Sequence, residues 1–273
     1  MIILLTGQPG VGKSTLVAKL VKAYTEPASW VVTAGIPRPE GGRAGFSATN
    51  SDGVTRTISH KTDIDSEVVI GENHVDLTAV DAMFATALEN ALQDNNTLTI
   101  VDEIGPIQML SPAFTTSLQK VFAKGADLLA TIHYSDERLQ PYRESPSVLL
   151  IHVSPENRDE LVATLLLILQ HRHEIDALPH DTRIHTLELL RKYIAENRIT
   201  QLKKLLNHAI RYVAEKRLQP VKEGEWRITG DHGSYTITRK GDAFACTCDL
   251  FNGRGEYVGQ AGECSHIQAV KLT

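Results

Sequence analysis

The chain has 273 residues, 42% hydrophobic and 22% charged, which is ordinary for a folded α/β domain with room for a smaller second one. Its net charge of −5 is unevenly spread: residues 1–182 carry 13 Lys+Arg against 23 Asp+Glu, residues 183–217 carry 9 against 3, and residues 218–273 carry 6 against 7. No apolar run approaches the roughly 20 residues that cross a bilayer. The apolar start has no basic segment before it and is broken by Gly7 and Pro9, so a buried strand is expected rather than a signal peptide, in a cytoplasmic protein without membrane contact.

The first part alternates short apolar runs with helical patterns, which predicts a mainly parallel sheet flanked by helices. Strands are expected at residues 2–5, 30–33, 98–101, 128–132 and 148–153, and helices at 14–24, 80–92, 111–122 and 157–169. Ser51-Asp52-Gly53 marks a hairpin between strands at 46–49 and 54–58. Residues 183–217 change to two helices, with Leu187, Leu190 and Ile194 and then Leu202, Leu205, Leu206, Ala209 and Val213 at helical spacing, and with Thr182 and Thr200 as candidate N-caps. After Pro220 a third regime begins, with strands at 226–228 and 234–238 around a Gly230–Gly233 turn.

Gly7-Gln8-Pro9-Gly10-Val11-Gly12-Lys13-Ser14 satisfies G-x-x-x-x-G-K-S/T between a strand and a helix. The glycines let backbone N–H groups, up to Thr15 in the first helical turn, face phosphate oxygens, and the helix N-terminus adds partial positive charge. Lys13 would reach the β- and γ-phosphates and Ser14 would ligate Mg²⁺. The strand at 98–101 delivers Asp102 to the Mg²⁺ shell, and Glu103 stands next to it, placed to orient or deprotonate an attacking water. That second acid favours hydrolysis over transfer to another substrate. His133, after the strand at 128–132, is either a γ-phosphate contact or a plain strand-end polar residue.

Val101-Asp102-Glu103-Ile104-Gly105-Pro106 followed by Ser111-Pro112-Ala113-Phe114 resembles the signature of the small P-loop nucleoside-triphosphatase family, the cancer-related nucleoside-triphosphatase group. Gly41-Gly42-Arg43-Ala44-Gly45-Phe46 and Asn157-Arg158-Asp159 are similar to two further segments of that family. The resemblance covers roughly residues 1–170 and implies hydrolysis of nucleoside triphosphates to diphosphate and phosphate with broad base tolerance. Where the family has Met-Glu this chain has Ile107-Gln108, so a neutral amide replaces an acid. Arg43 is a candidate cationic contact with the transition state or a solvated loop arginine.

All three cysteines fall in Cys246-Thr247-Cys248, fifteen residues, Cys264-Ser265-His266. Three thiolates and an imidazole suit tetrahedral Zn²⁺, and with four protein ligands the metal is structural. The pattern resembles the SWIM-type zinc finger, which implies recognition of DNA or protein. A module of this size needs the metal to fold. The basic residues of 183–217 are either a nucleic-acid surface or a face packing within the protein, on the acidic first domain for example.

The expected organisation is therefore a P-loop nucleoside-triphosphatase domain (1–172), a basic helical linker (173–217) and a SWIM-type zinc module (218–273). The expected activity is Mg²⁺-dependent hydrolysis of ATP or GTP. Two alternatives are a nucleotide-gated switch with little turnover, kept open by Gln108, and a nucleotide or small-molecule kinase. Glu103 and the lack of an arginine-rich lid speak against the kinase.

Overall fold

A computed structural model describes residues 1–94, 97–249 and 263–273, and its internal contacts divide the chain into two units, Met1–Leu166 and Leu167–Thr273.

The first unit begins with β1 (Ile2–Thr6), whose five residues are all buried, as the central position of a strand covered on both faces requires. α1 (Lys13–Ala23) follows, then β2 (Ala28–Pro37), β3 (Arg43–Asn50) and β4 (Thr55–His60). β3 and β4 form the expected antiparallel hairpin, and β2 runs on to Pro37, beyond the 30–33 expected, because it pairs with both β3 and the sheet core. β5 (Val69–Ile70) and β6 (Asn73–Val75) are short edge strands with no periodic signal in the sequence. α2 (Leu77–Val80) passes through a π-helical turn at Asp81–Ala85 into α3 (Thr86–Gln93). Next come β7 (Leu98–Ile104), α4 (Pro112–Lys124), β8 (Leu128–Ile132), α5 (Gln140–Arg143), β9 (Val148–His152) and α6 (Arg158–Gln170).

The nine strands lie in the order β5-β6-β4-β3-β2-β7-β8-β1-β9, with the five from β2 to β9 mutually parallel. Ser111 caps α4, accepting from the Phe114 N–H at 2.9 Å, with Pro112 at the first helical position and Gly125 in the left-handed conformation at the far end. One consequence of the strand order matters for the site. β8 lies between β1, which carries the glycine-rich loop, and β7, which carries the acids.

The second unit contains α7 (Arg172–Asp176), α8 (His180–Ala195), α9 (Ile199–Lys204), a π-helical turn at Leu205–Ala209 and α10 (Ile210–Ala214). An antiparallel sheet follows, in the order of its strands: β10 (Leu218–Lys222), β11 (Glu225–Thr229), β12 (Ser234–Lys240) and β13 (Ala243–Cys246); α11 (Ser265–Lys271) ends the chain. Thr182 and Thr200 are not N-caps. α8 starts three residues earlier at a Pro179 cap, whose fixed φ of −51° sets the entry, and α9 starts at Ile199 behind Arg198. Both threonines lie inside first turns, and the Thr182 carbonyl accepts from the Thr186 hydroxyl at 2.7 Å. The apolar stripe of these helices is covered within this unit: Leu187, Leu190, Leu202, Leu205, Leu206 and Ala209 are buried, and α11 packs on the π-turn and α10.

Candidate functional site

The loop after β1 is shaped by its glycines. Gly7, Gly10 and Gly12 have φ of +151°, +79° and +108°, and a Cβ at Gly7 would fall 2.5 Å from the Val153 carbonyl oxygen. The loop closes through the Val11 N–H, which donates to the Gln8 carbonyl at 3.3 Å, and Pro9 and Thr15 are exposed on it. Lys13 Nζ donates to the Gly7 carbonyl at 2.7 Å and the Gln8 carbonyl at 3.2 Å. α1 starts at Lys13 behind Gly12, so its first N–H groups face the same space.

Asp102 and Glu103 stand at the C-terminal end of β7. Asp102 is 3% exposed; its Oδ1 accepts from the Thr131 hydroxyl of β8 at 2.5 Å, and the Ser14 hydroxyl also bonds to its carboxylate. Its backbone carbonyl accepts from the Thr33 hydroxyl at 2.6 Å, which ties β7 to β2. Burial raises its pKa above the ordinary carboxylate value, against the pull of Thr131, Ser14 and the Lys13 ammonium. Burial and the charge of Asp102 raise Glu103 likewise, with Lys13 opposing. Two desolvated carboxyls facing one ammonium and one hydroxyl form a donor set suited to a hard divalent cation, with Ser14 and Asp102 as the residues that would hold Mg²⁺.

His133 follows β8. Its N–H donates to the Ile104 carbonyl at 3.0 Å and its Nδ1 accepts from the Asp136 N–H at 3.2 Å. Burial holds its pKa below the usual value; Asp136 opposes this, while Lys13 and Arg143 add to it. His133 thus stands at the C-terminal end of β8, the strand between the one carrying the phosphate loop and the one carrying the acids. Arg43 is not brought there: it is exposed at the start of β3 with its guanidinium over the Phe46 ring, 5.6 Å from the centroid, and among the described residues no contact joins it to Lys13, Asp102 or Glu103. Gln108 is buried in the turn after β7.

Two elements of this site received no role from the motifs. Thr131 is the one hydroxyl in the apolar run of β8, and nothing local ties it to Asp102. Arg158 donates from Nη1 to the Val11 carbonyl at 3.2 Å, bracing the loop, although the sequence reading placed no role on it.

In the second unit Cys246, Cys248, Cys264 and His266 are all buried, with their ligand atoms within 4.8 Å of one another. Cys246 Sγ lies 3.7 Å from His266 Nδ1. In a tetrahedral site with Zn–S of about 2.3 Å, ligand atoms stand roughly 3.5–3.8 Å apart, so the spacing is close to that of a filled site. The neighbouring Cys248 and Cys264 thiols and burial push Cys246 far above the ordinary thiol pKa. Cys264 is pushed up to about 11, the lowering effect of Cys246 being outweighed by Cys248 and burial. Thiols this crowded resist ionising without a cation among them, which is the chemistry of a metal site.

The imidazole is packed against two aromatic rings. The rings of Tyr235 and Tyr212 stack against it with centroids 4.5 and 5.5 Å away, and a Cβ at Gly230 would fall 2.6 Å from Nε2, so only glycine allows β11 to end there. Behind it runs a buried polar chain: the Tyr193 hydroxyl donates to Gln268 at 2.7 Å, Gln268 donates to Glu263 at 3.0 Å, and Lys271 pairs with Glu263. Lys204 Nζ donates to the Glu263 carbonyl at 2.8 Å, and Arg211 and Arg217 pair with Asp231 at 2.5 and 3.0 Å.

A parallel sheet with a phosphate-type loop after its first strand, and two adjacent acids at the end of a strand one removed from it, defines a P-loop triphosphatase class of domain. Residues 2–166 match the sequence profile of the family described as NTPase. The nucleoside-triphosphatase THEP1 of Thermotoga petrophila is 34% identical over 171 residues, covering 62% of this chain and 93% of that protein. That of Methanosarcina acetivorans is 35% identical over 164 residues, covering 58% and 91%. The crystal structure of THEP1 from Aquifex aeolicus superposes with a TM-score of 0.54 at 28% identity, over 62% of this chain and 99% of that one. The solution structure of a human cancer-related nucleoside triphosphatase gives 0.52 at 26% identity, over 62% and 97%. The chain belongs to the NTPase family, and it is an enzyme of the nucleoside-triphosphatase class. Among the described residues no helix is long and apolar enough to cross a membrane.

Proposed function

We propose that the protein hydrolyses nucleoside triphosphates, ATP and GTP among them, to diphosphate and phosphate in a Mg²⁺-dependent reaction in the cytoplasm. One observation carries this: a buried Asp102 and a half-buried Glu103 stand side by side at the end of β7, with Asp102 bonded to Thr131 and both acids in electrostatic reach of Lys13. Backbone N–H groups of the 7–15 loop and the Lys13 ammonium bind the β- and γ-phosphates. Ser14 and Asp102 hold the cation, which when bound neutralises charge on the phosphate oxygens. Glu103, raised by burial towards a pKa suited to a base, orients the attacking water and accepts its proton. Thr131 fixes the Asp102 carboxylate by its hydrogen bond. Steady-state phosphate release with Mg²⁺ tests the proposal. Turnover that depends on Mg²⁺ and disappears in Glu103→Gln supports it, whereas tight nucleotide binding without turnover would make the protein a nucleotide-gated switch.

The second unit reads as a recognition module held together by one structural Zn²⁺ on Cys246, Cys248, Cys264 and His266, of the SWIM type. With four protein donors no position is left for chemistry. Its partner is DNA or protein. Arg211, Arg217 and Lys204 are engaged in pairs inside the unit, which lowers the charge available for phosphates and favours a protein partner.

A further inference from the structure

The end of β1 carries a polar group that the phosphate loop does not use. Thr6 closes the strand, is 2% exposed, and its hydroxyl has no hydrogen-bond partner among the described residues. A buried hydroxyl left unmatched is unfavourable, so it marks a place where a further polar atom is to be met. Thr6 lines a cavity of about 420 Å³, within the roughly 300–1,000 Å³ of complete small-molecule sites. Its register partner on β9, His152, lines the cavity too, as does Leu150 two residues before it on the same face.

The alternation along β1 fixes which face of the sheet this is. Thr6 shares its face with Ile2 and Leu4, which pack in one apolar cluster with Leu118 and Val121 of α4. Leu16, Val17 and Leu20, the buried residues of α1, are not in that cluster. The cavity therefore lies on the α4 face of the sheet, opposite α1, and borders the phosphate loop at Gly7 and Gln8.

The lining sets the chemistry of an occupant. Arg143, from the β8–β9 connection, is half-buried with Nη1 fixed on the His133 carbonyl at 2.7 Å. A guanidinium held at one nitrogen keeps further N–H donors in its planar fork for an oxyanion. The acid of the lining, Glu144, is exposed and engaged by Gln140, from which it accepts at 2.8 Å. Leu150, Val153 and the ring of Tyr134 supply apolar surface.

We propose that this cavity is a second ligand site, separate from that of the nucleotide, for a small organic anion. Its oxyanion is held by Arg143 and the Thr6 hydroxyl, and its apolar body lies against Leu150 and the Tyr134 ring. The site goes beyond the triphosphatase reading and does not depend on it. The test titrates phenylphosphonate, inorganic phosphate and benzyl alcohol into the full chain, with and without Mg²⁺ and a non-hydrolysable ATP analogue, following the methyl NMR signals of Leu150 and Val153. Phenylphosphonate should shift both signals to saturation in either condition, at lower concentration than inorganic phosphate or benzyl alcohol. Arg143→Ala and Thr6→Val should each weaken it by roughly tenfold, the worth of one hydrogen bond to a charged group. Thr6→Val should do so without lowering the melting temperature of the free protein, because the hydroxyl has no partner to lose. An equal response to benzyl alcohol, or none to any probe, would overturn the site, and so would variants that bind phenylphosphonate like the wild type. Loss of the response once Mg²⁺ and the analogue are present would place the probe in the nucleotide site and overturn it too. A chain that does not bind the analogue would instead refute the triphosphatase reading, while the probe shifts alone would still decide for or against the cavity.

Discussion

In residues 1–166 the interior is apolar and the polar chemistry is at the edge. Ile3, Leu4, Leu5, Ile100, Val101, Leu129 and Ala130 are fully buried in the parallel sheet, while Lys13, Asp102 and Glu103 stand where the strands end. In residues 167–273 a buried apolar helical core adjoins a buried polar centre. Three thiols, an imidazole, Glu263, Gln268 and Tyr193 are inside. Burying apolar surface stabilises wherever it occurs, whereas buried polar groups stabilise only when every partner is present. The first unit should therefore tolerate loss of its site residues as a fold and fail only as an enzyme. The second should fail as a fold when its polar centre is disturbed.

The largest expected effect tests that contrast directly. Purified protein should contain one zinc per chain. Removing it with a strong chelator, or by Cys248→Ser, should unfold residues 167–273, because structural zinc contributes about 10–16 kcal/mol in small zinc domains, comparable to or larger than a domain's whole stability. Hydrogen exchange would show protection lost in the second unit and retained in β1, β7 and β8, with nucleotide still bound. Full protection throughout the metal-free chain would erase the distinction between the units.

The next effect sharpens the other side. Lys13→Ala should abolish tight Mg·NTP binding by titration calorimetry, and Glu103→Gln should keep binding but slow turnover by roughly 10²–10⁴-fold, the usual worth of a positioned base. Both variants should melt close to wild type, since neither side chain contributes to the apolar interior. If Glu103→Gln turns over at the wild-type rate, the base lies elsewhere.

These two regions were also legible to different degrees. The phosphate loop, both acids and all four cysteine and histidine positions could be read because each motif is short and local, and a strand, turn or helix start suffices to place it. Thr131 was not read, since its relation to Asp102 depends on β8 lying between β1 and β7, a long-range fact with no local trace. β5 and β6, two and three residues long, carry too few positions for any period. The helix starts at Thr182 and Thr200 were misplaced because Pro179 and Arg198 supply the entry geometry instead of a side-chain cap. Glu263, Gln268 and Tyr193 were missed because they join α8 to α11 across 75 residues of chain. Arg43 was expected as a candidate at the reacting phosphates and lies over Phe46 instead.

Thr131 offers a smaller perturbation of the first unit. Thr131→Val removes a donor to a buried carboxylate and leaves one lone pair of Asp102 unmatched. The concentration of Mg²⁺ needed for half-maximal turnover should rise by roughly tenfold, in line with about 1.5 kcal/mol for a hydrogen bond to a charged group. Thr131→Ser should restore it, because only the hydroxyl matters. If Ser and Val variants behave alike, Thr131 packs the strand and does not position the acid.

The smallest expected effect probes whether the polar interior of the second unit acts as a connected chain. Tyr193→Phe deletes one oxygen and almost no volume, at a residue 2% exposed. It leaves Gln268 Oε1 without its donor, and Gln268 is what steadies Glu263 beside the Cys264 end of the metal site. The loss should be about 1 kcal/mol, read as an earlier denaturation midpoint of the second unit at unchanged zinc content, with nucleotide turnover untouched. A core of ordinary apolar packing would barely register the change, because the phenyl ring keeps nearly all its contacts. Glu263→Gln should then cost more than Tyr193→Phe, since it weakens the pair with Lys271 as well as the bond from Gln268. If both substitutions leave the midpoint where it was, zinc alone holds the second unit, and its buried polar chain is a consequence of the fold and not a support of it.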